Sequence, residues 1–114
     1  MSHQMAIFSD IHANLAALEA SLADMDERCL DERYCLGDLV GYATFPNEVV
    51  ATIQALNIPG VMGNYDRGVG HDSDDCGCAY KTPEAKALGN RSIAWTNSHT
   101  TAASKAFLRS LLPN

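Results

Sequence analysis

The sequence predicts an α/β fold that begins with a parallel β-α-β-α-β unit. Three observations predict it. Short apolar runs at Met5–Phe8, Tyr34–Leu36 and Ile58–Met62 each stop abruptly at polar residues. Stretches with apolar residues at helical spacing separate them. Each run also ends in residue types that bind metals, at the carboxyl end of a strand, where open α/β sheets place their ligands. The element order implies a parallel sheet with right-handed crossovers.

The first strand covers Gln4 to Ser9 and opens into Asp10-Ile11-His12. Asn14 is suited to cap the helix that follows, whose stripe of Leu15, Leu18, Leu22 and Met25 lies on the sheet. Glu32 to Leu36 forms the second strand, with Asp38 at its end between Gly37 and Gly41. Pro46 fits the first position of the second helix, whose buried face is Val49, Ile53 and Leu56. Asn57 and Pro59 end it. Ile58 to Met62 is a short third strand opening into Gly63-Asn64-Tyr65-Asp66. Residues 67–81 are expected to form a Gly- and Asp-rich loop. Thr82 and Pro83 start a third helix with Ala85, Leu88, Ser92 and Trp95 inward. A fourth helix starts near Thr101, with Phe107, Leu108 and Leu111 as its apolar side.

A chain of 114 residues with 46% apolar content is long enough for one small globular domain. No apolar run reaches the length of a membrane span, and Met5 to Phe8 is too short for a signal-peptide core, so the cytoplasm is the expected compartment. A net charge of −6 argues against nonspecific nucleic-acid binding, although bound cations would let an acidic protein act on phosphate. Cys29 and Cys35 read as core thiols, and no secretory signal supports a disulfide framework. Cys76 and Cys78 are closer together than the usual structural zinc spacing allows, which favours a structural role in their loop. Arg67 reads as a solvated arginine and Trp95 as a packing residue.

The polar strand ends carry the chemistry. Asp10, His12, Asp38 and Asn64 offer two carboxylates, one imidazole and one amide oxygen. Such a mixed donor set suits Mn, Fe, Zn, Co or Ni better than Ca or Mg. Asp38, between the other two clusters in sequence, is the natural bridge between two metals. Two divalent ions about 4 Å apart polarise a phosphoryl group and lower the pKa of a bridging water, whose hydroxide attacks phosphorus in line. Taken singly, each motif is weak: Asp10 can also serve as a cap, His12 as an exposed turn residue, Asp38 as a turn acid and, most seriously, Asn64 as a turn asparagine.

Ser9-Asp10-Ile11-His12-Ala13-Asn14, Gly37-Asp38-Leu39-Val40-Gly41 and Gly63-Asn64-Tyr65-Asp66 together resemble the first three motifs of the calcineurin-like metallophosphoesterases. Their order and spacing match the smaller bacterial members. The resemblance implies an αββα sandwich of which residues 1–114 are the N-terminal part. It implies two divalent metal ions, with manganese the leading choice. Asp10 and His12 would bind the first metal, Asp38 would bridge, Asn64 would bind the second, and Asp66 would orient the site from behind it. It also implies a phosphoester substrate.

The sequence departs from the family pattern at two points. Tyr65 stands where many members have a histidine that protonates the leaving group; a phenol, with a reference pKa near 10, is a poor proton shuttle at neutral pH. Members lacking that histidine tend toward phosphodiesters, so a diester is expected over a monoester. The family's later histidine and Gly-His-x-His motif are also missing, since the other histidines are His3, His71 and His99. The chain is therefore expected to hold about half a bimetal site, with weak metal binding and little catalysis as a monomer. Its uncovered apolar sheet surface is expected to drive homodimerisation. The alternative from another class is a non-catalytic fragment that binds metal or a protein. A nucleotide-binding flavodoxin-like domain is disfavoured, because no glycine-rich loop follows the first strand.

Overall fold

The first two strands pair in parallel. In the computed structural model, which describes residues 4–113, β1 (Ala6–Phe8) lies beside β2 (Arg33–Cys35), with Ala6 opposite Arg33 and Phe8 opposite Cys35. Helix α1 (Leu15–Glu27) connects them. Asn14 caps it as expected, its side-chain oxygen accepting the Ala17 N–H at 3.0 Å, and Leu18, Leu22 and Met25 are buried along the expected stripe. Next come α2 (Pro46–Ala55), α3 (Asn64–Gly70), α4 (Pro83–His99) and α5 (Ala102–Ser110), and α5 packs against both α2 and α3. Leu18, Leu39, Val40, Val49, Ile53, Ile93 and Leu108 form the centre of the core. Among the described residues no helix is long and apolar enough to cross a membrane. His3 lies outside the described residues.

Several elements differ from the sequence expectation. The third run does not form a full strand. Gly60 bridges Cys35, and Val61 bridges Leu112, each as a single parallel pair. Pro59 interrupts the ladder because it has no N–H to donate, although its carbonyl still accepts the Cys35 N–H at 3.0 Å. Residues 67–81 are not all loop, since α3 carries the Asn64 cluster onward for seven residues. The inner face of α4 is Gly89, Ile93 and Thr96, while Leu88 and Trp95 are exposed. The true stripe is thus shifted by one residue and is less apolar than the one the sequence suggests. Leu56 is exposed because α2 ends at Ala55 and the chain turns away.

The cysteines also depart from expectation. Cys29 is exposed, in a turn with φ of +56° just beyond α1, whereas Cys35 is buried, and burial pushes its thiol up to about 11. Cys76 and Cys78 are joined in a disulfide, contrary to the expectation of none, because the loop brings their Cα atoms to 5.2 Å.

The sheet keeps one face outward. Ala6 and Cys35 point into the core, whereas Ile7, Leu36 and Leu112 are exposed and, with Val61, line an apolar cleft of about 310 Å³.

Gly41 shows how tightly the strand ends pack. Its φ is +97°, and a Cβ there would lie 2.2 Å from the Tyr65 ring. Gly77 has a φ of +72° but open space around it. Gly41→Ala should therefore destabilise by roughly 2–4 kcal/mol from strain plus overlap, and Gly77→Ala by only about 1 kcal/mol from strain. Urea denaturation of the two variants checks the difference, and equal losses would contradict this packing.

Candidate metal centre

The site forms where the loop after β1 meets the loop after β2. The two loops are joined by main-chain hydrogen bonds: Asp10 N–H donates to Gly37 O at 3.0 Å, His12 N–H to Asp38 O at 2.9 Å and Ala13 N–H to Leu39 O at 2.7 Å. This pairing holds Asp10, His12 and Asp38 at φ of +58°, +48° and +56°. Non-glycine residues rarely adopt that region, and strain of this kind concentrates at functional sites.

The three side chains converge. One ligand atom from each of Asp10, His12 and Asp38 lies within 4.8 Å of the other two, an arrangement that could hold a metal ion. His12 Nε2 is 3.3 Å from Asp10 Oδ1 and 4.0 Å from Asp38 Oδ2. Its Nδ1 is 2.9 Å from the Val40 carbonyl. A carbonyl only accepts, so Nδ1 carries the proton, and in the neutral ring Nε2 presents its lone pair to the two acids. A backbone carbonyl behind a histidine is how metal-binding imidazoles are commonly oriented. The mixed oxygen and nitrogen donors fit a transition-metal ion.

The two carboxylates differ. A 2.6 Å hydrogen bond from the Ser9 hydroxyl lowers Asp10 below its ordinary range, while burial raises Asp38. Asp38 Oδ1 accepts the Tyr65 N–H at 3.0 Å, which ties the start of α3 to the centre. Asn64, the preceding residue, is exposed at the first position of that helix.

Asp66 lies behind the centre and is fully buried. Its Oδ1 accepts the Leu39 N–H at 2.8 Å, and its Oδ2 accepts the Asp38 N–H at 2.8 Å and the Gly63 N–H at 3.0 Å. The bond to Gly63 is one half of a capping box, and Gly63, with no side chain, cannot supply the other. Burial pushes the Asp66 carboxyl above its ordinary value, and the three amides pull the other way. A Cβ on Gly63 would lie 2.3 Å from Asp38 Oδ1, so only glycine allows this approach. The Asp66 carboxylate thereby ties the Asp38 loop to the start of α3.

Tyr65 is also buried. Its ring lies 5.7 Å from the His12 ring and 4.8 Å from that of Tyr42. Its hydroxyl sits among Gly89 O, Ser92, Tyr80 and Tyr42, and burial raises it far above the ordinary tyrosine value. Two contributors to the centre carry little sequence signal. The Val40 carbonyl is a backbone group, and Tyr42, whose ring meets the His12 ring edge-on at 4.9 Å, stands outside the motifs.

A family model described as the calcineurin-like phosphoesterase superfamily domain matches residues 4–112. The chain belongs to the calcineurin-like phosphoesterase superfamily. An uncharacterized protein of Methanocaldococcus jannaschii is 42% identical over 108 residues, covering 94% of this chain and 41% of that protein. The crystal structure of a metallophosphoesterase from Sphaerobacter thermophilus superposes with a TM-score of 0.68 at 34% identity, covering 96% of this chain and 42% of that one. A second solved structure, of a candidate diadenosine tetraphosphatase, shares the fold with a TM-score of 0.64 at 20% identity, covering 96% and 48%. The chain thus spans less than half the length of these relatives. In this member of the superfamily the Asp10, His12 and Asp38 motifs converge in space, and Asn64 opens the helix whose Tyr65 N–H binds Asp38.

Asp66→Asn should lower stability by roughly 2 kcal/mol, because one amide oxygen cannot serve three N–H donors. The same change should weaken Mn²⁺ binding about 10-fold through the Asp38 loop. Denaturant midpoints and calorimetric titration measure both effects, and an unchanged midpoint would remove Asp66 from this role.

Proposed function

We propose that this chain carries the first half of the metal centre of a phosphoester hydrolase. Asp10 and His12 would hold one metal, Asn64 would hold the second, and Asp38 would serve both. The observation that carries the reading is the orientation of His12: its Nδ1 lies 2.9 Å from Val40 O, and its Nε2 faces two carboxylates. Two divalent ions, with manganese the leading choice, would polarise the phosphoryl oxygens and supply a nucleophile at neutral pH. The chain's own residues do the rest. Asp66 keeps the Asp38 and Gly63 backbones in register, and the main-chain bonds between the loops fix the spacing of the donors.

The preferred substrate is a phosphodiester with a good leaving group. Support comes from Tyr65, whose buried hydroxyl faces Gly89 and cannot readily deliver a proton to a departing alkoxide. One of the structural neighbours is, by its name, a candidate diadenosine tetraphosphatase.

The second reading is a binding module, and the exposed apolar sheet face around Ile7, Leu36 and Leu112 favours it. A second copy of the chain would cover that face. Sedimentation analysis should then show a dimer that Leu36→Lys converts to monomer, and a monomer at all concentrations would rule it out.

The test of the first reading uses bis(4-nitrophenyl) phosphate with Mn²⁺. This chain should bind Mn²⁺ weakly, and His12→Ala or Asp38→Asn should reduce the affinity at least 10-fold. A longer form of the protein that includes this chain should hydrolyse the diester, and Asp38→Ala should abolish turnover. Mn²⁺ binding unaffected by Asp38→Asn would contradict the assignment.

A further inference from the structure

Helix α3 leads away from the metal centre along the wall of a second cleft. The cleft has a volume of about 470 Å³, and Asn64, Arg67 and His71 line one side of it. Asn64 and Arg67 lie one turn apart on α3, and His71 caps its carboxyl end. Ser73 and Asp75 line the opposite wall.

That wall is fixed in place. Ser73 N–H donates to Gly68 O at 2.8 Å, and Asn97 Nδ2 on α4 donates to Ser73 O at 2.6 Å. The Cys76–Cys78 disulfide closes the end of the loop. Gly68 permits the approach, since a Cβ there would lie 3.1 Å from Asp75 O. Asp75 is the one acid among the lining residues, and its Oδ1 accepts the Gly77 N–H at 2.9 Å. Among the described residues Arg67 forms no ion pair, although the chain carries a net charge of −6. An unpaired guanidinium in a walled cleft, one helical turn from the residue beside Asp38, is placed to bind an anion that extends beyond the metals.

We propose that Arg67 and His71 form a subsite for a second phosphate group of the substrate, carried along α3 away from the reacting phosphorus. The proposal rests on the metal-centre reading above and narrows its substrate class to compounds with at least two phosphate groups. Arg67 makes a charged, two-pronged contact, and His71 adds a hydrogen-bond donor farther along the cleft.

The test compares butane-1,4-diol bisphosphate with butyl phosphate by calorimetry on the chain, with Mn²⁺ held saturating throughout. The bisphosphate should bind about 10-fold more tightly. In Arg67→Gln that ratio should fall to about 1, and in Arg67→Glu below 1. Arg67 is exposed, so neither change threatens folding. A ratio near 1 in the unaltered protein, or a ratio that survives in both variants, overturns the subsite. Failure of the metal-centre reading appears in a separate titration of Mn²⁺ into the unaltered chain and into Asp38→Asn, as an affinity that the change leaves the same.

Discussion

A fully buried carboxylate is costly unless hydrogen-bond donors surround it, and Asp66 has three. The donors come from two loops, the one that presents Asp38 and the one that opens α3. One side chain therefore satisfies buried amides of both and sets the distance between them. Asp38 returns the connection by accepting the Tyr65 N–H. Loops joined in this way cannot move independently, so the placement of Asn64 relative to Asp38 follows from an interaction on the hidden side of the centre.

The first loop enters through its backbone. Its three main-chain bonds to Gly37, Asp38 and Leu39 hold several residues at positive φ, and that strain is offset by the bonds that impose it. The result is a centre whose donors are arranged before any ion arrives. Preorganisation of this kind lets a small domain bind metal without a large rearrangement.

Much of this was legible in the sequence. The polar ends of the apolar runs located Asp10, His12 and Asp38, and the stripe from Leu18 to Met25 gave the first helix its buried face. The caps at Asn14 and Thr82 were equally readable, because each is a local interaction. What stayed hidden depends on distant partners. The single-pair bridges of Gly60 and Val61 depend on Pro59 and on Leu112, far along the chain. The inner face of α4 centres on Gly89, where a Cβ would lie 2.2 Å from the Tyr80 hydroxyl, and a glycine has no hydrophobic signal. The Cys76–Cys78 bond follows from loop geometry, which spacing alone did not determine.

The central claim is that Asp10, His12 and Asp38 form a ready-made cation site. Anomalous diffraction from crystals grown with Mn²⁺ tests it most directly. The account predicts a peak bonded to His12 Nε2 and to carboxylate oxygens of Asp10 and Asp38. A Mn²⁺ peak elsewhere on the chain, with none among these three residues at saturating metal, would contradict it.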